Sequence, residues 1–275
     1  MSRLRITIVT PSFNQAQFIE RTVRSVVEQQ GDFDLEYLVL DGASTDGTLE
    51  ILRRYQDRLT WSSAPDKGQV DAINKGLRAA TGEIVGWVNS DDILMPGALA
   101  KVARAFSAHP EVEWLHGRCE IIDADDQQIR RWISAYKDFR ARRHSFENLL
   151  TENYVSQMTT FWRRSVHAEI GYLDVSLKLA FDYEFWLRLA RRSAPVYLED
   201  RIACFRWYET SKSGANYALQ FSEDMAVATR YARFGRTGVL WRKRLKSGAI
   251  VMSYKLMSTF RRLGRRPSIR TLSDK

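Results

Sequence analysis

Short apolar runs of strand length alternate with helix-period segments over roughly the first 120 residues, and this rhythm restricts the architecture more than any other feature. LRITIVT (residues 4–10) is a β-rich run that meets Pro11. Ile19, Val23, Val26 and Val27 then recur at helical spacing until Gly31 closes the segment. EYLVLDG is a second strand ending in Asp41-Gly42, and STDGTLEILRRY opens with helix-capping residues. Residues 59–62 make a weak third strand, and Ala72, Ile73 and Leu77 mark a helix that stops near Thr81-Gly82. EIVGWVN is a fourth strand, followed by the helix PGALAKVARAF with Pro96 suited to its first turn. This βαβα order predicts an α/β fold with a mostly parallel central sheet flanked by helices on both faces.

After residue 110 the rhythm changes. VEWLHGRCEIID and QIRRWI, on either side of Ala124-Asp125-Asp126, read as a β-hairpin. A short helix is expected near residues 145–150, VSQMTTFWRR as a strand, and FDYEFWLRLARR as a helix with Phe185, Trp186 and Leu189 on its inner side. Trp61, Trp87, Trp114, Trp132, Trp162, Trp186 and Trp207 are expected mostly in the core. Residues 1–220 read as one α/β unit, with residues 221–275 as an appended tail.

That tail carries most of the charge. Residues 230–275 hold 14 Lys/Arg and one acid, a net of +13, so the rest of a chain whose total is +9 carries −4. Leu245, Ala249, Met252, Leu256, Phe260 and Leu263 recur at helical steps, with Lys243, Arg244, Lys246, Lys255, Arg261, Arg262, Arg265 and Arg266 around them. A basic amphipathic helix of this kind suits an anionic membrane surface; the plainer reading is a helix docked on the protein's own body. No stretch approaches the ~20 apolar residues of a membrane span, and the N-terminus does not read as a signal peptide. The two cysteines, Cys119 and Cys204, form no CxxC pair, and the four histidines show no metal-ligand spacing. The expected location is the cytoplasm, peripheral at the cytoplasmic face of the inner membrane.

In open α/β sheets, ligands bind outside the carboxyl ends of the strands. The first strand ends in TPSFN, offering the aromatic Phe13; the second ends in Asp41; the third leads to PDKGQ with Lys67; the fourth ends in NSDD with Asp91 and Asp92. An aromatic, a lone acid, a lysine and an acid pair on one rim suit a nucleotide bound with a hard divalent ion, Mn²⁺ or Mg²⁺, bridged to its diphosphate.

The runs TPSFN, LDGASTDGT and PDKGQVDAINKGLRAATGEIVGWVNSDD resemble the inverting family-two glycosyltransferases of the GT-A (Rossmann-like nucleotide-diphospho-sugar transferase) fold, and QMTTFWRRSVHAEIGYLD with FDYEFWLRLA is similar to the acceptor half of that family. The resemblance covers about residues 4–215 and implies a donor half near 1–120 and an acceptor half near 120–220. It implies donor-binding roles for Pro11, Phe13, Asp41, Lys67 and Asp92, with Phe13 stacking near the base, Asp41 hydrogen-bonding it, and Asp92 either touching the donor sugar or supporting the metal ligand from behind. The family's acid-x-acid motif reads Asn89-Ser90-Asp91-Asp92 here, so Asp91 inherits the metal-ligand role. Asp182, in a Phe-Asp pair where the family carries Glu-Asp, takes that of catalytic base. Trp207 and Tyr208, in FRWYETSKS after a strand, are candidates for the acceptor site. The implied reaction moves a sugar from a nucleoside diphosphate, a UDP-sugar above all, to a saccharide or lipid-linked acceptor in cell-surface polysaccharide or lipopolysaccharide synthesis.

Plainer readings stand beside these. Asp91 and Asp92 could cap the helix near Pro96, Asp182 could be the N-cap of its own helix, and Asp41 could serve turn chemistry only. Phe13 could be core. A sugar-nucleotide nucleotidyltransferase is disfavoured because TPSFNQAQ lacks a Gly-rich basic phosphate loop. A nucleic-acid binder is disfavoured by the acidic body and the lack of a recognisable binding motif, so no nucleic-acid partner is expected.

Overall fold

The computed structural model describes residues 3–209, 217–232 and 238–245. Its strands are β1 (Leu4–Ser12), β2 (Phe33–Asp41), β3 (Thr60–Ser63), β4 (Ile84–Trp87), β5 (Ile93–Leu94), β6 (Trp114–Ile122), β7 (Gln128–Ile129), β8 (Thr160–Arg163) and β9 (Val196–Arg206). Its helices are α1 (Ile19–Val27), α2 (Thr48–Arg53), α3 (Gln69–Ala79), α4 (Ala98–Ala108), α5 (Arg131–Ala141), α6 (Phe146–Thr151), α7 (His167–Ile170), α8 (Phe181–Arg192) and α9 (Tyr217–Tyr231).

One sheet runs β3-β2-β1-β4-β8-β6-β9-β5, with β7 paired to β6. The nucleus β3-β2-β1-β4 is wholly parallel, so its four C-terminal ends share one rim, and β8 joins β4 antiparallel. Side chains alternate between the two faces as strand geometry requires. Val85, Trp114 and Trp162 enter a core built with α3, α6 and α8; Ile84, Leu115 and Phe161 enter a second core built with α1 and α4.

The first core centres on four tryptophans that are essentially without exposed surface: Trp87, Trp114, Trp162 and Trp186. Trp186 of α8 stacks on Trp87 of β4 at 5.5 Å and 14°, and on Trp114 of β6 at 6.2 Å and 5°. Trp162 of β8 meets Trp87 and Trp186 edge-on at 5.6 and 5.8 Å. Phe181 lies 6.3 Å from Trp87, so the first turn of α8 faces the C-terminal end of β4.

Four sequence expectations are revised. The hairpin after β6 is short: β7 spans two residues, and Arg130 takes a left-handed conformation (φ 51°) at the N-cap of α5, so RRWI opens a helix instead of extending a strand. The strand expected in VSQMTTFWRR begins only at Thr160, because the Thr159 and Thr160 hydroxyls both donate to the Ser156 carbonyl and shape a turn. Pro96 precedes Gly97, the N-cap of α4, and so lies outside the first turn. Trp132, expected in the core, stands 72% exposed on α5.

Helix α9 spans residue 220 and packs on α8, with Val227 and Ala228 buried in the first core. Residues 238–245 are helical and bury Lys243, whose ammonium lies 3.3 Å from the Tyr183 hydroxyl and over its ring; Lys243 is therefore part of the body, not of a solvated basic face. Of the apolar stripe, Leu245 is exposed, and Ala249, Met252, Leu256, Phe260 and Leu263 lie outside the described residues. No helix among the described residues is long and apolar enough to cross a membrane.

Truncating a buried tryptophan removes both its transfer energy and its packing partners. Trp186→Ala is expected to lower unfolding free energy by about 3–5 kcal/mol in denaturant titration. Trp132→Ala should stay within about 0.5 kcal/mol of the parent; equal losses would contradict the core assignment.

Candidate active site

The rim of the parallel nucleus gathers the residues at the ends of β1 to β4. Ser12 pairs with Asp41 and Asp41 with Ser63, which fixes the ends of β1, β2 and β3 side by side. The loops after β1 and β2 are zipped together. The Asn14 amide donates to Ser44 Oγ at 2.7 Å, the Thr45 amide to Asn14 Oδ1 at 2.9 Å, and the Ala16 amide to Asp46 Oδ2 at 2.9 Å. Asn14 and Ala43 both take positive φ (50° and 66°) inside this clasp.

Phe13 is 60% exposed at the tip of the clasp, so it is no core residue. Pro11 is buried within β1, opposite Leu40. Asp41 is buried and accepts from the Ser44 amide (2.9 Å), the Ser44 hydroxyl (2.5 Å) and the Ser63 hydroxyl (2.7 Å). Turn chemistry is thus part of its work, since it holds the loop on which Phe13 rests. Asp66, which the sequence reading passed over beside Lys67, comes forward to the same place. A Cβ on Gly42 would stand 2.9 Å from Asp66 Oδ2 and 3.4 Å from the Phe13 ring, so only glycine admits this approach. The Lys67 side chain is exposed, and its amide donates to Asp71.

The acids of NSDD divide. Asp92 has no exposed surface: Oδ1 accepts from the Arg206 amide at 2.9 Å and Oδ2 from Asn89 at 3.0 Å. Burial, and then the adjacent Asp91 charge, push its pKa well above the ordinary carboxylate value. The structure therefore sets Asp92 inside the rim, where it ties the β4 loop to β9, and not on the face expected for a donor contact. Asp91 is half-buried, and among the described residues one side chain, the Tyr208 hydroxyl at 2.9 Å, donates to it. Burial raises its pKa, partly offset by Tyr208 and Arg206. Neither acid caps α4, whose N-cap is Gly97.

The cation beside this pair is Arg206, fully buried. Its guanidinium donates to the carbonyls of Asp91 (2.8 Å) and Asp123 (2.7 Å) and pairs with Asp126 at 2.5 Å. It also lies 4.9 Å from the Phe18 ring centre. It braces the backbone through these carbonyls, and its charge only partly offsets the burial of the Asp91 carboxylate. Asn89 is held by Gln69 (2.8 Å) and Gln157 (3.0 Å), and Gln157 in turn donates to the Trp87 carbonyl. Gln157 and Arg206 gave no sequence signal, because their partners lie 68 to 115 positions away.

A half-buried carboxylate with one neutral donor suits a hard cation. Among the described residues no three acidic, histidine or cysteine side chains cluster as a metal site. Asp91 fits the style of site in which one or two carboxylates share a divalent ion with substrate phosphates.

Asp182 sits in the first turn of α8. It is not the N-cap: that position is Ala180, and the amides of Lys178, Leu179 and Ala180 all donate to the Glu223 carboxylate of α9. Asp182 accepts from the Tyr183 amide (2.6 Å) and, at 3.5 Å, from Asn153. Burial pushes it up to about 6, against the opposing pull of the Tyr183 amide and of Lys137. Lys137, unremarked in the sequence, reaches in from α5 with its ammonium 3.4 Å from Ser156 Oγ. Tyr208 also packs on Phe18 at 5.0 Å, while Trp207 carries the Arg130 guanidinium 3.6 Å over its ring.

Residues 7–171 match the family model described as glycosyl transferase family 2. An uncharacterised glycosyltransferase of Mycobacterium tuberculosis (strain H37Rv) is 30% identical over 195 residues, 70% of this chain and 71% of the relative. A PGL/p-HBAD biosynthesis glycosyltransferase of the H37Ra strain is 27% identical over 202 residues, 71% of this chain and 73% of the relative. The fold is shared with Staphylococcus aureus TarS 1–349 in complex with UDP-GlcNAc, at TM-score 0.66, 20% identity and 83% of this chain; the match spans 66% of the TarS chain, just under two thirds. It is also shared with the mannosyltransferase PcManGT of Pyrobaculum calidifontis in complex with GDP-Man and Mn²⁺, at TM-score 0.62, 19% identity, 96% of this chain and 81% of the other.

Removing a buried charged partner leaves its groups stranded. Arg206→Ala is expected to cost about 3–5 kcal/mol of stability. Removing the exposed Arg54 partner of Glu20 should cost under about 1 kcal/mol. Similar denaturation midpoints for the two variants would contradict the bracing role of Arg206.

Proposed function

From the premise that this chain belongs to glycosyl transferase family 2 and is a glycosyltransferase, we propose that it transfers a sugar from a nucleoside-diphosphate donor to an acceptor hydroxyl with inversion, Asp182 serving as base. The observation that carries this reading is the place of Asp182: an uncapping carboxylate at the mouth of α8, raised to about 6 by burial, on the helix turn that faces the end of β4. A base is most effective when its pKa lies near working pH, and this one is ionised at neutrality yet retains real proton affinity.

Phe13 offers an exposed ring for a nucleobase, with Asp66 and the Asp41 loop at its edge. Lys67 lies on the same rim and supplies a positive charge toward the diphosphate. Asp91 would hold Mn²⁺ or Mg²⁺, which would supply charge stabilisation to the departing nucleoside diphosphate. Tyr208 steadies the Asp91 carboxylate through its 2.9 Å hydrogen bond, and Trp207 beside it borders the acceptor side. Asp182 takes the proton of the acceptor hydroxyl as that oxygen attacks the anomeric carbon from the side opposite the diphosphate. One base and one displacement give inversion; retention by double displacement needs a second carboxylate at the anomeric carbon. UDP-sugars are the first donors to test, because a structural neighbour was solved with UDP-GlcNAc. A saccharide or lipid-linked acceptor in cell-surface glycan synthesis fits the basic C-terminal region, which would hold the protein at the cytoplasmic face of a membrane.

Two measurements test this assignment. Asp182→Asn should retain donor-induced thermal stabilisation and lose transfer about 10²–10⁴-fold, while parent kcat/KM should rise with pH through about 6 and level above it, because the base must be deprotonated. Transfer by the variant at the parental rate would remove Asp182 from the chemistry. Asp91→Asn should abolish the extra thermal shift that Mn²⁺ adds to donor binding; a full Mn²⁺ effect in that variant would place the cation elsewhere.

A further inference from the structure

Helix α5 turns two different faces outward and inward. Ser134, Asp138 and Ala141 are buried, and Lys137 points toward Ser156 and the Asp182 mouth. Opposite them Trp132, Tyr136 and Phe139, at i, i+4 and i+7, form one row that is 72%, 41% and 47% exposed. Spacing of this kind places all three on a single stripe. Large aromatics in such a row are unusual on a solvated helix. The row is bordered by exposed Arg131 and by Arg143, whose guanidinium lies 3.9 Å over the Phe139 ring.

A second row lies on the helix at residues 238–245. Lys243 faces inward onto Tyr183, and on the opposite side Trp241 and Leu245 are 67% and 62% exposed between exposed Arg242 and Arg244. Glu152, at the end of α6, accepts from the Tyr136 hydroxyl of α5 at 2.8 Å and pairs with Arg140 of the same helix. Aromatic and leucine side chains flanked by arginine on these two helices match the chemistry of a lipid headgroup boundary, where rings sit among headgroups and arginines meet anionic phosphates. The sequence from residue 230 onward carries a net +13, a sign suited to anionic lipid.

We propose that the Trp132/Tyr136/Phe139 face of α5, together with Trp241 and Leu245, is an interfacial membrane-binding surface for anionic lipid. The proposal deepens the membrane-peripheral reading given above and rests on it. It assigns the contact to a helix whose opposite face carries Lys137, the charge that acts on Asp182.

The test uses the full chain and vesicles of phosphatidylglycerol with phosphatidylcholine. Charge attraction is screened by salt, whereas ring insertion is not. The parent should therefore sediment with these vesicles at low salt and stay partly bound at about 0.5 M salt. Trp132→Ser/Phe139→Ser should lose at least about tenfold in partitioning at low salt and all binding at high salt, with Trp132→Phe largely restoring it. Donor-induced thermal shift should match the parent, which separates loss of this surface from a failure of the glycosyl-transfer reading. Parental partitioning of the double variant at both salt concentrations, or a parent that ignores vesicles altogether, would overturn the proposal. So would a parental dimer in sedimentation velocity that the double variant reduces to monomer with vesicle binding intact, since a second copy would then cover the face.

Discussion

The stacking of Trp186 between Trp87 and Trp114 is the contact on which the rest of the molecule depends. It fixes α8 to β4 and β6 through planar contacts at 5.5 and 6.2 Å, and it does so at the end of the sheet where the rim carboxylates lie. Stacked rings bury large areas with little rotational freedom. The helix that carries Asp182 therefore has a defined height and direction over β4. The indole nitrogens of Trp87 and Trp186 are buried without hydrogen-bond partners among the described residues, a cost of about 1–3 kcal/mol each that the packing must offset.

Two neighbouring acids in NSDD end with opposite fates because one of them faces β9. Asp92 meets the Arg206 amide and becomes structural; Asp91 meets one phenol and is left with charge to spare. Arg206 reconciles the two: its guanidinium braces the carbonyls of Asp91 and Asp123, while its charge favours the ionised form of both carboxylates against their burial. The loop keeps its shape while a reactive anion remains at its surface.

The parallel nucleus and its rim were legible because period-2 and period-3.6 patterns are local, and because each strand ends in a short polar motif. Phe13, Asp41, Lys67 and Asp91 could be placed on one edge from strand order alone. Asp92 could not be separated from Asp91, since the difference arises from β9, over a hundred residues later. Arg206, Gln157 and Lys137 were invisible for the same reason: single polar residues inside apolar segments signal nothing until the partner strand is present. Trp132 misled because hydrophobicity predicts burial only on average, and the helix phase that turns it outward is set by Arg130, whose left-handed backbone no pattern announces. The hairpin after β6 was overextended at that same residue.

Glu223 gathers the amides of Lys178, Leu179 and Ala180 into one carboxylate. The positive end of α8 is thereby closed by a residue from a later helix, so α8 does not own the electrostatics of its own N-terminus. Loss of this acceptor from the segment after β9 would strand three amides of the loop that joins α7 to α8. Helix α9 is on this account a keystone as much as an appendage, because its carboxylate closes a loop that α8 cannot close for itself.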